Sequence, residues 1–267
     1  MTKSIFITGA SSGIGKALAI ESAKRGFNVA LMARNLDALN ETAESCKKFN
    51  VAVFVFQGDV SNKSDCESFI QRGIISLGSI HILINNAGIS MRGLFKDTDV
   101  SVLEKLMNTN FWGTVYCTQA ALPELLKNKG SVVGISSIAG FKGLPARTGY
   151  SASKFAMQGF LESLRCENLK TGLHVLIACP GYTDSNIRKT ALNETGNAQG
   201  ESPLNEGKLM TSEEVAVAVL DAIAKKRMYL ILTLQGKMAV LINKFWPKLA
   251  DKLTFNVIAK EPNSPFQ

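Results

Sequence analysis

Short apolar runs alternate with longer amphipathic stretches along this chain of 267 residues. Seven such runs occur, in the order SIFIT, NVALMA, VAVFVF, HILIN, SVVGIS, HVLIAC and YLILT. Almost continuous apolar runs are typical of strands buried on both faces, and helices between them favour parallel pairing. The pattern therefore predicts an α/β fold, a doubly wound parallel sheet of about seven strands with helices on both faces.

Neither a linker nor an internal repeat interrupts this alternation, so we predict a single domain over residues 1–267. A chain of this length is compatible with one α/β domain, since such domains commonly reach about 250 residues. One long polar and weakly periodic stretch, residues 184–210, follows the sixth run. Its position after a strand end favours a lid over a ligand site, with disorder as the alternative.

The N-terminal sequence MTKSIFITGASSG lacks the apolar core of a signal peptide. No segment approaches the roughly 18 consecutive apolar residues of a membrane-spanning helix, so we expect a cytoplasmic protein. The five cysteines form no C-x-x-C pair and are interpreted as reduced thiols. His81 and His174 have no partners at metal-ligand spacing, which favours structural roles and no metal site.

The formal net charge of +8 is concentrated near the C-terminus, where residues 225–260 contain eight basic residues and one acid, Asp251. The pattern of this segment does not indicate a basic groove with interleaved aromatic side chains, so we expect no nucleic-acid partner.

Residues 235–260 combine this charge with apolar side chains at helical spacing, namely Met238, Leu241, Ile242 and Phe245. Pro247 suits the first position of a following helix. The pattern predicts extra C-terminal amphipathic helices. They either cover a substrate pocket or a second subunit, or lie peripherally on a membrane surface.

A glycine-rich segment, TGASSGIGK, directly follows the first run and opens a helix. Glycines let a phosphate approach the backbone, and the N–H groups and dipole of a helix N-terminus favour an anion. The spacing G-x-x-x-G-x-G differs from the commoner G-x-G-x-x-G. Because a strand precedes it and a helix follows, we interpret it as a phosphate-binding turn formed by Gly9, Ser11, Ser12, Gly13, Ile14 and Gly15.

Tyr150 and Lys154 lie one helical turn apart in the segment GYSASKF. A free tyrosine has a pKa near 10, so proton exchange near neutrality needs a depression of about three units, or about 4 kcal/mol. One positive charge about 4 Å away supplies about this much at an effective dielectric constant of about 20. Lys154 is the expected source of that charge.

Together these segments resemble the short-chain dehydrogenase/reductase family. The resemblance extends from Thr8 to about Ser185 and rests on TGASSGIG, Asn85–Gly88, Ser137 thirteen residues before Tyr150, the Tyr150-x-x-x-Lys154 pair and Pro180-Gly181. It implies a Rossmann fold, a nicotinamide cofactor and the interconversion of a carbonyl and a secondary alcohol on a small molecule. It also implies a homodimer or homotetramer through long helices around residues 100–126 and 150–170.

The same resemblance implies a catalytic set of Asn110, Ser137, Tyr150 and Lys154. In the family, the tyrosine exchanges a proton with the substrate oxygen, and the lysine also holds the nicotinamide ribose. The serine binds the substrate oxygen, and the asparagine completes a proton relay to the lysine. Ser136 competes with Ser137 for the serine role, and the spacing to Tyr150 favours Ser137.

Further residues are implied to contact the cofactor. Asp59 and Val60 match the pair that reads the adenine ring. The positions that line the cofactor path or meet the nicotinamide are Asn86, Ala87, Gly88, Pro180, Gly181, Thr183 and Ser185, the last standing where the family usually has threonine.

The end of the second run indicates which nicotinamide cofactor is bound. Enzymes that hold a free ribose 2′-hydroxyl place an acid there, whereas a 2′-phosphate calls for arginine. Ala33 occupies the place of the acid and Arg34 follows it, which predicts NADP(H).

Two other functions stay open. One is reduction of a C=C bond or a 3-oxoacyl thioester with the same cofactor, and the other is a cofactor-bound regulatory protein without turnover, at a membrane or elsewhere. The complete catalytic set argues against the second, since binding alone would not need it. The apolar C-terminal stripe favours a lipophilic substrate.

Overall fold

A computed structural model describes residues 2–183, 187–200 and 209–266. Within these residues, seven parallel strands form one sheet in the order β3-β2-β1-β4-β5-β6-β7. The strands are β1 (Ser4–Thr8), β2 (Asn28–Ala33), β3 (Val53–Gln57), β4 (Ile82–Asn85), β5 (Ser131–Ile135), β6 (His174–Cys179) and β7 (Tyr229–Ile231). Each apolar run has become a strand, which confirms the predicted doubly wound sheet.

Nine α-helices are described in these ranges. They are α1 (Gly13–Lys24), α2 (Leu36–Lys47), α3 (Lys63–Leu77), α4 (Val100–Leu106), α5 (Gly113–Lys127), α6 (Thr148–Glu167), α7 (Ser212–Ala224), α8 (Leu234–Phe245) and α9 (Pro247–Ala259). A π-helical turn, Met107–Trp112, joins α4 to α5. No helix in the described part of the chain is long and apolar enough to cross a membrane.

The helices cover both faces of the sheet. Alternate strand residues point to opposite faces, so Ile5 and Ile7 join the core beneath α1, α2 and α7, whereas Phe6 joins the core beneath α3, α5 and α6. All three side chains are fully buried. The strands are therefore apolar on both faces because both faces are covered.

Side-chain caps fix where several helices begin. Asn35 accepts a hydrogen bond from the backbone N–H of Ala38 at the start of α2. At the start of α7, Thr211 accepts from the N–H of Glu214, whose carboxylate accepts from the N–H of Thr211. These are the donors that a helix N-terminus leaves unsatisfied.

The strand order reverses beside β1, which lies between β2 and β4. Loops that follow β1 and β4 leave the sheet in different directions and open a crevice at the carboxyl edge. Most of the predicted site residues follow β1, β2, β3, β4, β5 or β6, so the topology gathers them at this edge.

Candidate active site

The turn between β1 and α1 forms a cradle at the switch point. Gly9 has a φ of +66°, a conformation that favours glycine. A Cβ on Gly15 would lie 2.1 Å from the carbonyl oxygen of Gly9, so only glycine lets the turn close this tightly. The Ser12 side chain makes no capping hydrogen bond to α1, and the first residues of the helix, Gly13 to Gly15, line the crevice. This turn fits a dinucleotide diphosphate.

Asn86, just after β4, ties the cradle to the neighbouring strand. Its amide nitrogen donates to the carbonyl oxygens of Thr8, at 2.9 Å, and Gly9, at 3.2 Å. The hydroxyl of Thr8 in turn accepts from the backbone N–H groups of Asn86 and Ala87. Asn86 therefore fixes the conformation of the turn.

The ends of β2 and β3 form the other side of this half of the crevice. Ala33, which is buried and apolar, occupies the position where an acid would hold a free ribose 2′-hydroxyl. Arg34 is largely exposed, and its guanidinium lies 3.8 Å from the Asp59 carboxylate. Asp59 also accepts hydrogen bonds from the backbone N–H and hydroxyl of Ser61, so its orientation is fixed.

Tyr150, Ser137 and Lys154 meet at the opposite end of the crevice. Ser137 follows β5 and Tyr150 lies near the start of α6, and both residues line the crevice. The Lys154 ammonium lies 5.8 Å from the centroid of the Tyr150 ring. The spacing of four along α6 thus places the amine over the face of the ring.

Lys154 is buried, and a backbone carbonyl group at the end of β5 holds its amine. Its Nζ atom donates to the carbonyl oxygen of Ile135 at a distance of 2.8 Å, and only 3% of the residue is exposed. Burial lowers the pKa of Lys154 to about 8, because the charged form loses solvation. The amine therefore carries a positive charge at neutral pH but sits close to its titration range.

The pKa of Tyr150 differs from the sequence-based expectation. Burial raises this pKa, while the hydrogen bond with Ser137 and the charge of Arg147 lower it. Desolvation is the largest of these effects, so the side chains alone do not produce the three-unit depression that we assigned to Lys154.

Asn110 is fully buried in the π-helical turn and lies beneath the crevice, outside its lining. Its side chain accepts from the backbone N–H of Ile89, at 2.8 Å, and donates to the carbonyl oxygen of Ile89, at 2.9 Å. It also donates to the Ser153 hydroxyl at 2.8 Å. A Cβ on Gly88 would lie within 3.5 Å of both Asn110 and Lys154, so the two residues flank the same backbone segment.

The two adjacent serines after β5 have different surroundings. The Ser136 hydroxyl accepts a hydrogen bond of 2.8 Å from the amide of Gln158, which turns it toward the interior. The Ser137 hydroxyl instead accepts a hydrogen bond from the backbone N–H of Ala139, and Ser137 lowers the pKa of Tyr150 through a hydrogen bond. This arrangement favours Ser137 as the residue that would meet a substrate oxygen.

Pro180, Gly181 and Thr183 follow β6 on the far side of Tyr150. A Cβ on Gly181 would lie 2.2 Å from the Thr233 side chain, so the loop packs closely against the start of α8. The hydroxyl of Thr183 donates to the carbonyl oxygen of Gly181 at 3.0 Å. Ser185 lies outside the described residues.

Part of the stretch predicted as a lid, residues 187–200, contributes Ile187 and Leu192 to the lining of the crevice. The backbone N–H of Leu192 donates to the carbonyl oxygen of Ser90, at 2.9 Å, and the N–H of Arg92 donates to the carbonyl oxygen of Leu192, at 2.8 Å. These bonds join residues 187–200 to the loop after β4. The rest of the predicted stretch, residues 184–186 and 201–208, lies outside the described residues.

A cavity of about 730 Å³ runs between the two ends. The predicted residues that line it are Gly9, Ser11, Ser12, Gly13, Ile14, Gly15, Arg34, Asp59, Val60, Asn86, Ala87, Gly88, Ser137, Tyr150, Lys154, Pro180, Gly181 and Thr183. One continuous cavity therefore joins the glycine-rich turn after β1 to Tyr150. Among the described residues that line it, none belongs to α8 or α9.

The sequence reasoning missed an ion-pair cluster at the substrate end. Arg147, which lines the cavity, donates to both carboxylate oxygens of Glu261, at 2.9 and 3.1 Å. Arg92 lies 3.5 Å from the same carboxylate and donates to the carbonyl oxygen of Pro262 at 2.8 Å. Glu261 is only 4% exposed. These residues lie up to 170 positions apart in the sequence, so no local sequence pattern predicts the cluster.

The fold and the cavity define a class of protein, an α/β protein with a dinucleotide-binding crevice that ends at a tyrosine, a serine and a lysine. Comparison with known proteins places it more narrowly. A family model described as "short chain dehydrogenase" matches residues 3–196. The chain belongs to the short chain dehydrogenase family.

Individual relatives agree with this assignment. The chain is 43% identical over 185 residues to "11-beta-hydroxysteroid dehydrogenase-like 4A" of Arabidopsis thaliana, covering 68% of this chain and 62% of that protein. It is 35% identical over 266 residues to "Dehydrogenase/reductase SDR family member 7B" of Mus musculus, covering 97% and 82%. The match thus spans less than two thirds of the first relative's length.

A solved structure shares the fold. It is a short chain dehydrogenase/reductase from Burkholderia phymatum in complex with NAD, with a TM-score of 0.83 and 23% sequence identity, covering 93% of this chain and 95% of that one.

Proposed function

We propose that this protein is an NADP(H)-dependent oxidoreductase that interconverts a carbonyl group and a secondary alcohol. The observation that carries the proposal is the position of Tyr150, Ser137 and Lys154 at one end of a cavity whose other end is the Gly9–Gly15 turn. A nicotinamide cofactor held by that turn would extend along the same cavity to Tyr150.

The bound nicotinamide would supply or accept the hydride, and the chain's own groups would handle the proton and the charge. The Tyr150 hydroxyl donates a proton to the substrate oxygen during reduction and accepts it during oxidation. Ser137 donates a hydrogen bond to the same oxygen and stabilises the negative charge that develops there. Lys154, held by Ile135, keeps a positive charge below the tyrosine ring and would contact the cofactor ribose.

The preference for NADP(H) over NAD(H) is supported by the end of β2. No acid stands at Ala33 to hold a ribose hydroxyl, and the exposed guanidinium of Arg34 lines the cavity. The fold alone does not decide between the cofactors, because the Burkholderia phymatum neighbour is in complex with NAD.

A lipophilic substrate is supported by the substrate half of the cavity. Apolar side chains line it, namely Ile89, Leu144, Ile187 and Leu192. The Arabidopsis thaliana relative carries the name of a hydroxysteroid dehydrogenase-like protein, which agrees with a bulky apolar alcohol or ketone. We propose that residues 184–210 act as a lid over this half.

A substrate panel tests the proposal. Ketones, steroids, retinoids, 3-oxoacyl esters and enones are incubated with NADPH, and absorbance at the reduced-nicotinamide band is followed. We expect turnover of an apolar ketone, and Tyr150→Phe should abolish it while leaving NADPH affinity nearly unchanged. Full activity in Tyr150→Phe would refute the mechanism. Tight cofactor binding without turnover of any substrate would favour the regulatory alternative, and turnover of only enones or 3-oxoacyl esters would favour the reductase alternatives.

The proposal includes a cytoplasmic homodimer or homotetramer formed through α5 and α6. Two aromatic side chains on these helices, Trp112 just before α5 and Phe155 on α6, are more than 40% exposed. Light scattering coupled to gel filtration tests this, because Phe155→Glu should dissociate the oligomer. An unchanged mass would place the interface elsewhere.

A further inference from the structure

Helix α8 turns an apolar stripe away from the body of the protein. Leu234, Met238, Leu241 and Phe245 recur at i, i+4, i+7 and i+11, which places them on one face. Their exposed fractions are 73, 52, 55 and 57%. Such large exposure of four aligned apolar side chains costs free energy unless another apolar phase covers them.

The opposite face of α8 is fixed to the protein, so the stripe cannot turn inward. Gly236 is buried, and a Cβ there would lie 2.8 Å from the side chain of Ile138. The amide of Asn243 donates to the carbonyl oxygen of Phe141 at 2.9 Å. Both contacts reach the segment that follows Ser137, which ties the orientation of α8 to the candidate active site.

Helix α9 adds a second apolar stripe to the same helical hairpin. Leu249, Leu253 and Val257 are each between 45 and 47% exposed at i, i+4 and i+8, and Trp246 at the junction is 59% exposed. Ala250 and Ile258 of α9 are buried against the rest of the protein. We call the exposed apolar side chains of α8, Trp246 and α9 the C-terminal apolar face.

Positive charge accompanies this face. Lys237, Lys244, Lys248 and Lys252 are exposed, and no acid occurs between residues 222 and 250. The nearest acid in sequence, Asp251, is paired with Lys142. The hairpin therefore presents apolar side chains and lysines with almost no negative charge.

We propose that the C-terminal apolar face docks on an anionic lipid bilayer. Leucine, phenylalanine and tryptophan side chains enter the headgroup boundary, and long lysine side chains beside them reach the lipid phosphates. A second copy of the chain fits less well, because a two-fold interface would bring two lysine sets together without carboxylates to pair them. The docking surface does not depend on the proposed reaction.

Vesicle co-sedimentation of the full chain tests this surface. Vesicles of phosphatidylcholine with 30% phosphatidylserine are compared with pure phosphatidylcholine, and we expect at least tenfold stronger binding to the anionic vesicles. Each lysine near an anionic surface contributes about fivefold. Salt at about 0.5 M should weaken the preference, since the Debye length then falls well below 10 Å.

Matched variants separate the apolar and the charged contributions. Leu241→Gln with Phe245→Gln should lower binding to anionic vesicles more than tenfold. Lys237→Gln with Lys244→Gln should remove the preference for phosphatidylserine. Ile75→Gln, at a side chain that is 84% exposed on α3, should leave binding unchanged, and circular dichroism verifies that each variant is folded.

Three results would overturn the proposal. Wild-type protein that stays in the supernatant with both vesicle types excludes a lipid surface. Equal binding of the Leu241/Phe245 variant excludes this face. An oligomer that dissociates in this variant, without vesicle binding by the wild type, identifies the face as a subunit interface. Turnover of a water-soluble ketone, measured in the same variants, reports on the proposed reaction separately.

Discussion

Replacing Arg34 by alanine tests the cofactor preference most directly. The substitution removes one positive charge at the end of β2 and leaves the turn at Gly9–Gly15 intact. The guanidinium is 69% exposed, and its nearest charged partner is Asp59 at 3.8 Å. Because Asp59 is also oriented by Ser61, the loop should keep its shape in the variant.

The expected magnitude follows from this exposure. Two unit charges about 4 Å apart interact by about 1 kcal/mol in water and about 4 kcal/mol at an effective dielectric constant of about 20. Arg34 is mostly solvated, so the lower figure applies to each unit of charge. A phosphate monoester carries nearly two negative charges at neutral pH. The loss of about 2 kcal/mol corresponds to a rise in the Kd for NADPH of about 30-fold.

Fluorescence titration with NADPH and NADH measures this effect in wild type, Arg34→Ala and Asp59→Asn. We expect Arg34→Ala to leave the Kd for NADH within about twofold, since NADH lacks the 2′-phosphate. Asp59→Asn removes a repulsive carboxylate but keeps an oxygen for Ser61, so it should tighten NADPH binding. Equal weakening of both cofactors by Arg34→Ala, or tighter binding of NADH by the wild type, would refute the reasoning.

Three further predictions concern the substrate end. Ser137→Ala should lower kcat about 100-fold with unchanged NADPH affinity, whereas Ser136→Ala should retain more activity, as steady-state assays can show. Glu261→Gln should destabilise the fold by about 3 kcal/mol in urea unfolding, because it leaves two buried arginines without a carboxylate; an unchanged unfolding midpoint would contradict this. Lys154 has a pKa of about 8 in the folded protein and 10.5 in the unfolded chain. Between pH 8 and pH 10.5 the unfolded chain therefore keeps a proton on this amine that the folded protein has released. Wild-type stability relative to Lys154→Met should therefore be constant below pH 8 and rise by about 3 kcal/mol up to pH 10.5, measured by urea unfolding at several pH values.

The sheet and the cofactor turn could be predicted because their signals are local. Each strand is buried on both faces and announces itself as an apolar run, and the glycines of the β1–α1 turn lie within seven residues. The residues at strand ends are then gathered by the topology, which the alternation of strands and helices already implies. The family resemblance then pointed to Ser137, Tyr150 and Lys154, which lie at this edge in the structure.

Other features depend on how distant segments meet. The pairing of Arg92 and Arg147 with Glu261 requires the path of the chain after α9, which no periodicity encodes. The stripe on α8 was visible as a spacing, but its outward direction follows from the contacts of Gly236 and Asn243 with the loop after β5. The pKa of Tyr150 likewise depends on burial, which the spacing to Lys154 cannot supply.

The cluster around Glu261 also bears on the order in which the protein is completed during synthesis. Arg92 and Arg147 leave the ribosome before β6, whereas Glu261 follows α9 and emerges after every strand of the described sheet. The nucleotide half can therefore fold on a nascent chain before Glu261, whose carboxylate pairs with the two arginines, has been synthesised. Arrest of translation before Glu261 should yield a chain that holds a dinucleotide but has an unfinished wall on the substrate side.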